Sequence, residues 1–180
     1  MGIDSLWITD CVGQWEKPLI AYARRLLGSD DAARDVVQET FLRLCRQPRD
    51  GIEHRLVEWL FTVVRHCAID HLRKEQTMQH QAEPLTADVT ANFIANVATA
   101  SPVSQLETSE SHQGLLQALA TLPRNQQECI RLKFQQHLSY QHISRVTGLS
   151  VTNVGYLIHM GIKTLRAQLT ISNTHTGANS

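Results

Sequence analysis

Residues 138–169 read LSYQHISRVTGLSVTNVGYLIHMGIKTLRAQL, a pattern typical of two helices joined by a tight turn. Ile143 and Val146 give the first helix an apolar face, and Gly148 supplies the backbone freedom that a short turn between crossed helices needs. Ser150 is a suitable N-cap for the second helix. Apolar residues recur in that helix at helical spacing, which predicts a buried face: Val154, Ile158, Ile162, Leu165 and Leu169. The stretch therefore predicts a helix-turn-helix.

The start of the second helix offers polar side chains on the other side. Thr152, Asn153 and Tyr156 would meet base edges if this helix entered the major groove of DNA. Any small helical hairpin can show the same apolar pattern, so the pattern alone leaves a DNA-binding and a purely structural interpretation open.

Charge is unevenly distributed along the chain. The 180 residues hold 17 Lys+Arg and 17 Asp+Glu, a formal net charge of zero, which gives little support to a general DNA binder. Residues 1–80 hold 11 basic and 12 acidic side chains, residues 81–119 hold none and four, and residues 120–180 hold six and one. The helix-turn-helix thus lies in the only basic segment, behind an acidic connector.

The cysteines predict neither a metal site nor a disulfide framework. Cys11, Cys45, Cys67 and Cys129 form no CxxC pair and show no His/Cys ligand spacing. No apolar run approaches the ~20 residues that span a bilayer, and the N-terminus lacks a basic stretch followed by an apolar one. We therefore expect a cytoplasmic protein without membrane insertion.

The N-terminal segment predicts two helices. An irregular apolar stripe covers residues 5–27, with Pro18 as a helix start or a kink, Gly28 closing the segment and Ser29 capping the next helix. That helix, residues 31–47, buries Val37, Phe41 and Leu44. Its polar face carries Asp35, Gln38, Glu39 and Arg43, which taken alone is typical of a solvated surface. No His or third carboxylate completes a catalytic or metal site there, so we expect neither an enzyme nor a cofactor.

A long helix is predicted next. Pro48 to Gly51 breaks the chain, and residues 53–75 follow with an apolar face inward and Arg65, His66, Asp70, Arg73 and Lys74 outward. Trp59 and Phe61 lie near its start. Aromatic and basic groups together suit single-stranded nucleic acid, but aromatics at helical spacing are more often core residues.

The rest of the chain predicts a connector and further helices. Residues 76–108 are polar, contain no Lys or Arg and are interrupted by Pro84 and Pro102, which predicts a flexible linker with a short helix at 93–98. Helices follow at 109–121, which Pro123 ends, and at 125–137. In the second of these, Cys129, Ile130, Leu132 and Phe134 are expected to pack, with Arg131 and Lys133 near solvent. The tail from 171 to 180 is too polar to fold. The prediction is an all-α protein with helical domains at 1–77 and 109–170 and a linker at 78–108.

Three motifs in order give the chain a family resemblance: LLGSDDAARDVVQETFLRL, then VEWLFTVVRHCAIDHLRK, then the stretch from LPRNQQECIRLKF through the helix-turn-helix. Together they resemble the extracytoplasmic-function group of the sigma-70 family of bacterial RNA polymerase sigma factors. The resemblance implies that residues 1–77 are region 2, which binds core polymerase and opens the −10 element, and that residues 109–170 are region 4, which binds the −35 element. It also implies promoter DNA and core polymerase as partners, with an anti-sigma factor as a partner that the group commonly has.

The same resemblance implies site residues by position. The helix that docks on the polymerase largest subunit carries Asp35, Gln38, Glu39 and Phe41. The segment that binds and melts the −10 element carries Trp59, Arg65, His66, Arg73 and Lys74, with His66 where Asn is frequent. The −35 set is Arg124, Arg145, Ser150, Thr152, Asn153, Tyr156, His159 and Lys163.

The second helix of the helix-turn-helix departs from the family pattern. Gly155, Leu157, Met160 and Ile162 stand where basic residues are common, and His159, Lys163 and Arg166 remain. Fewer phosphate contacts predict weak promoter binding that depends strongly on polymerase. Two alternatives stay open at this point: a stand-alone helix-turn-helix regulator that binds DNA as a dimer, and an interaction protein that sequesters polymerase without starting transcription.

Overall fold

A computed structural model describes residues 2–79 and 110–176 of the chain. Within these two ranges the regular structure is entirely helical, and the chain divides into two compact units. This confirms the predicted all-α class with two helical domains. Most of the predicted linker, its short helix at 93–98 and residues 177–180 of the predicted tail lie outside the described residues. No helix in the described part is long and apolar enough to cross a membrane.

The N-terminal unit is built on three long helices. These are α1 (Gly2–Leu27), α2 (Asp30–Leu44) and α4 (Leu56–Gln79), and each contacts the other two. Pro18 lies inside α1, which continues through it as one helix. Gly28 has a φ of +72°, and the Ser29 side chain accepts a hydrogen bond from the Ala32 backbone N–H, so the predicted helix end and N-cap are confirmed.

Aromatic rings fix the centre of the N-terminal unit. The Phe61 side chain is 1% exposed and forms a T-shaped contact with the Tyr22 ring, with 5.1 Å between ring centroids and 69° between planes. The core prediction for Phe61 is therefore confirmed, whereas Trp59 is half-buried. Thr40 is fully buried between the helices and satisfies its hydroxyl by donating to the Val36 carbonyl over 2.8 Å.

The connection between α2 and α4 is more ordered than the sequence predicts. A break was expected at Pro48 to Gly51, but residues Arg49–Ile52 form a short helix, α3, and Glu53–Arg55 add a turn of 3-10 helix. Pro48 is the N-cap residue of α3, with a φ of −69°. A proline suits the start of a helix, so Pro48 begins α3 and does not break the chain there. Arg49 joins this connection to the start of α1, since its guanidinium lies 5.6 Å from the centre of the Trp7 ring.

The C-terminal unit holds α5 (Glu110–Ala120), α6 (Arg124–Phe134), most of α7 (Tyr140–Thr147) and α8 (Val151–Thr176). Gly148 ends α7 in the left-handed region at φ +76°. The Ser150 hydroxyl accepts from the Asn153 backbone N–H over 3.2 Å and so caps α8. Ile143, Val146, Val154 and Ile158 are at most 2% exposed. The predicted helix-turn-helix, with its turn glycine and its cap, is confirmed.

A glycine brings α6 and α8 together. Gly161 is buried on α8, and a Cβ at this position would lie 2.5 Å from the Ile130 Cδ1 atom on α6. The missing side chain therefore allows α6 to approach closely. Beside this contact a small core forms from Ala118, Leu119, Leu122, Ile130 and Leu165, with Leu169 packed against it.

Three sequence predictions for this unit are corrected. Phe134 was expected to pack but is 54% exposed, because it is the last residue of α6. Arg131 was expected near solvent but is half-buried, and burial lowers its pKa from the ordinary value. The tail was expected to begin at residue 171, whereas α8 continues to Thr176.

The four cysteines differ sharply in accessibility. Cys45 is exposed, while Cys11, Cys67 and Cys129 are buried, and burial raises the pKa values of Cys11 and Cys67. Because the thiolate is the reactive form, we expect a thiol reagent at pH 8 to modify one cysteine rapidly in the folded chain and all four in urea. Cys45→Ser should remove the rapid phase. Two or more rapid thiols in the folded protein would contradict this burial pattern.

Candidate faces for partner and DNA binding

The outward face of α2 carries most of the side chains that the sequence assigns to polymerase docking. Asp35 and Gln38 are exposed, and Glu39 is partly exposed beside them. Phe41 lies at the edge of this face and is half-buried. Leu42 was not predicted as a site residue, yet it is 49% exposed and lies seven residues after Asp35, nearly two full turns along the same face. The structure therefore adds an apolar side chain to a polar surface.

Glu39 is held by a neighbour on its own helix. The Arg43 Nε atom donates to Glu39 Oε1 over 2.8 Å, and the two side chains are 45% and 46% exposed, in the order Arg43 and Glu39. This hydrogen bond to Glu39 is the largest cause of the raised pKa of Arg43. An exposed pair at this spacing adds little to stability, but it fixes where the carboxylate stands.

On α4 the structure brings together part of the predicted −10 set. Trp59, His66 and Arg73 follow each other at seven-residue steps and so share one outward face. His66 and Arg73 are exposed, and Trp59 is half-buried. Asp70 lies on the same face, with its Oδ1 atom 3.6 Å from Arg73 Nη1. This face of α4 therefore combines the Trp59 ring, the His66 imidazole and the Arg73 guanidinium. Asp70 partly balances the charge of Arg73.

Arg65 and Lys74 stand apart from that face. Arg65 is half-buried and lies roughly a third of a turn away from His66, on the flank of the helix. Lys74 is exposed on the opposite flank. A count of helical positions in the sequence alone would have separated these two residues from Trp59.

The outward face of α8 is a single stripe. Thr152, Tyr156, His159 and Lys163 are all exposed and lie opposite the buried Val154, Ile158 and Leu165. Their spacing of four, three and four residues places them one above another along the helix. Asn153 is exposed on one shoulder of the stripe. Val151, 45% exposed, begins the other shoulder.

Tyr140 lies beside the outward stripe of α8, and sequence analysis did not single it out. Its ring lies against Gly155 on α8, where a Cβ would be 3.6 Å from Tyr140 Cε2. The Lys133 ammonium lies 5.3 Å from the centre of the same ring and also donates to the Leu138 carbonyl over 3.3 Å. Tyr140 and Lys133 thereby border the outward stripe of α8. No local pattern predicts this contact, because it joins three elements across two turns.

The remaining predicted −35 residues are spread over the C-terminal helices. Arg124 begins α6 and is half-buried, and burial lowers its pKa from the ordinary value. Arg145 is exposed on α7. Ser150 is exposed, but its hydroxyl oxygen is engaged as the cap of α8.

Among the side chains that the structure describes, no group of three or more His, Cys, Asp or Glu is placed to hold a metal ion.

Comparison with known families gives the same division of the chain. The model of Sigma-70 region 2 matches residues 11–77, and the model of Sigma-70, region 4 matches residues 112–165. The ECF RNA polymerase sigma factor BldN of Streptomyces coelicolor is 30% identical over 159 residues, which are 84% of this chain and 56% of BldN. The ECF RNA polymerase sigma factor SigM of Bacillus subtilis is 28% identical over 135 residues, 75% of this chain and 78% of SigM.

A solved structure shares the fold. The sigma factor RpoE from Bartonella quintana, in complex with the anti-sigma factor NepR, superimposes with a TM-score of 0.62 at 21% sequence identity, covering 91% of this chain and 96% of RpoE. In this chain region 2 precedes region 4, and each match falls on one of the two units described above. This chain therefore belongs to the sigma-70 family of RNA polymerase sigma factors, in its extracytoplasmic-function group.

Proposed function

We propose that this chain is a dissociable sigma subunit that directs RNA polymerase to specific promoters. The N-terminal unit binds core polymerase and holds the opened −10 element, while the C-terminal unit binds the −35 element. The observation that carries the proposal is the presence of both family regions on one chain, each with an exposed face of suitable chemistry. Joining two weak DNA contacts raises their effective concentration for each other, so both act together once polymerase holds them.

Core polymerase binds to the outward face of α2 in this proposal. Asp35, Gln38 and Glu39 supply polar contacts, and the exposed Leu42 with the edge of Phe41 supplies apolar area. Interfaces draw most of their affinity from a few anchors within a polar rim, and this face offers both.

The −10 element binds along α4. Trp59, on the face with His66 and Arg73, provides a ring on which an unpaired base stacks, and Arg73 stays near the backbone phosphates. Capturing an unstacked base offsets the unpairing cost of a few kcal/mol, so the subunit itself needs neither a cofactor nor nucleotide hydrolysis.

Run-off transcription with purified core polymerase tests the proposal. We expect RNA to start at defined sites only when the chain is added. A stand-alone regulator would bind DNA without supporting initiation, and a sequestering protein would bind polymerase and reduce initiation by other sigma factors. Failure to start RNA at defined sites would overturn the proposal.

We extend the proposal to localisation and to an inhibitory partner. Polymerase and promoter DNA place the working protein in the cytoplasm. RpoE of Bartonella quintana is bound by the anti-sigma factor NepR, and an analogous protein that covers the polymerase-binding or DNA-binding faces would silence this chain.

Glu39→Ala is expected to weaken binding to core polymerase by about five- to tenfold, because the carboxylate lies on the docking face of α2. Titrating labelled full-length chain with core polymerase, followed by fluorescence anisotropy, measures the change. The free energy of unfolding should change by less than about 0.5 kcal/mol, since the Arg43 pair is exposed.

Glu53→Ala is a matched control for Glu39→Ala. Glu53 accepts a hydrogen bond from Arg49 over 2.7 Å at the same four-residue spacing and is 51% exposed, but it lies outside α2. The Glu53→Ala substitution therefore removes an equivalent ion pair and leaves the proposed docking face unchanged. Equal effects of the two substitutions on core binding would refute the assignment of Glu39.

A further inference from the structure

The first two turns of α8 present a DNA-facing surface without positive charge. From Val151 to Leu157 the chain contains no Lys, Arg or His. The exposed side chains in this window are Val151, Thr152, Asn153 and Tyr156, and Gly155 contributes only backbone. Tyr140 fills part of the space beside Gly155. This surface is therefore neutral and partly apolar.

The position of the window decides what reaches the bases. A recognition helix contacts base edges with its N-terminal residues. At about 1.5 Å per residue, Tyr156 lies about 8 Å from Val151 along the axis, while His159 lies about 12 Å away and Lys163 about 18 Å. His159 and Lys163 thus lie beyond the N-terminal turns that contact base edges, and we assign them to phosphates.

Other cations near α8 lie outside the window. Arg145 is on α7, and the first helix of a helix-turn-helix crosses the DNA backbone. Lys133 is engaged with the Tyr140 ring and the Leu138 carbonyl at the border of the stripe. Guanine is read chiefly by the paired donors of Arg or by Lys, and neither side chain stands in the window.

The window does offer side chains that can read an A·T pair. An Asn side chain can donate to and accept from adenine together, and apolar side chains contact the thymine methyl. We infer that α8 reads a −35 element rich in A·T pairs, with Asn153 selecting adenine and with Val151 and Tyr156 contacting thymine methyl groups. This inference rests on the proposed function, since it names the class of sequence that the same surface recognises.

Selection from a promoter library tests the inference on the full chain bound to core polymerase. Run-off transcription from fragmented bacterial DNA, with mapping of RNA 5′ ends, first supplies a working promoter. Its −35 segment is then randomised, and the sequences of the transcribed templates are compared with the input library. We expect A or T to be selected at two or more adjacent positions and guanine–cytosine pairs to be selected at none.

Three variants assign the selected positions to side chains. Asn153→Ala should lower the preference for adenine at one position by about tenfold, the ratio that corresponds to 1.4 kcal/mol. Tyr156→Arg should introduce a preference for guanine at one position, because it places a paired donor inside the window. Lys163→Ala, the matched control, should weaken transcription from all templates alike and leave the sequence preference unchanged.

The outcomes separate this inference from the function on which it rests. RNA starts at defined sites with a selected guanine–cytosine pair, or with no selection in the −35 segment, would overturn the inference and leave the sigma function standing. Absence of any defined start would overturn both. Unchanged adenine preference in Asn153→Ala would remove Asn153 from the recognition set and overturn its role.

Discussion

Replacing Phe61 with alanine is expected to lower the free energy of unfolding of the N-terminal unit by about 3–5 kcal/mol. The ring is 1% exposed and makes a T-shaped contact with Tyr22 between the long helices, so the change leaves a cavity and removes an aromatic contact. A loss of this size is a large fraction of the 5–15 kcal/mol that typically stabilises a domain. The variant should therefore lose polymerase binding through unfolding and not through a change of surface.

Tryptophan fluorescence during urea denaturation measures this change in the full chain. All three tryptophans, Trp7, Trp15 and Trp59, lie in the N-terminal unit, so the signal reports that unit alone. Leu42→Ala serves as a control, because Leu42 is an apolar residue 49% exposed on α2 and should cost less than about 1 kcal/mol. Equal destabilisation by the two substitutions would contradict the assignment of Phe61 to the core.

Replacing Ile158 with alanine is expected to destabilise the C-terminal unit by about 2–5 kcal/mol and to abolish transcription that depends on the −35 element. Ile158 is 2% exposed on the face of α8 opposite the outward stripe, so it seats the helix without lying on the DNA-facing surface. Once α8 loses this packing contact, Asn153 and Tyr156 no longer hold a fixed position against DNA.

Circular dichroism at 222 nm follows the unfolding of both units, whereas tryptophan fluorescence follows the N-terminal unit alone. A transition seen by circular dichroism but not by fluorescence therefore belongs to the C-terminal unit. Ile158→Ala should shift only that part. Tyr156→Ala is the matched control on the same helix, since Tyr156 is 60% exposed and its loss should change the free energy of unfolding by less than about 0.5 kcal/mol. A fluorescence transition shifted by Ile158→Ala would contradict this prediction.

Short-range signals in the sequence predict the local structure well. Ser29, Gly148 and Ser150 act within four residues of their own position, through a side-chain cap or a left-handed backbone, and each stands where the structure places it. The apolar period of α8 likewise fixes which face is buried, because a helix repeats its geometry at every turn.

Predictions that depend on neighbouring elements succeed less often. Phe134 has the apolar character of a core residue, but no sequence pattern shows that the chain turns away after the last residue of α6. Arg131 has the charge of a surface residue, yet its long aliphatic stem lets it lie half-buried. The polarity of residues 171–180 predicts an unfolded tail. No proline or glycine interrupts these residues before Gly177, however, and α8 continues to Thr176.

For the candidate faces, too, residues on a single helix are predicted from the sequence, whereas contacts between helices are missed. The sequence predicts Asp35, Gln38 and Glu39 together, since they lie within about one turn of a single helix. Tyr140 and Lys133 were missed because their contact with Gly155 joins three elements across two turns. The assignment of these faces to polymerase and promoter stays a prediction that the experiments above test.

The neutral surface at the start of α8 has a consequence for the free subunit in the cell. Non-specific affinity for DNA comes almost entirely from cations that displace counterions, and a genome offers about 10⁶–10⁹ competing sites. A subunit with a formal net charge of zero and no cation on its groove-facing turns is expected to be poorly retained by that excess of chromosomal sequence. We therefore expect more of it to stay in solution, available to core polymerase.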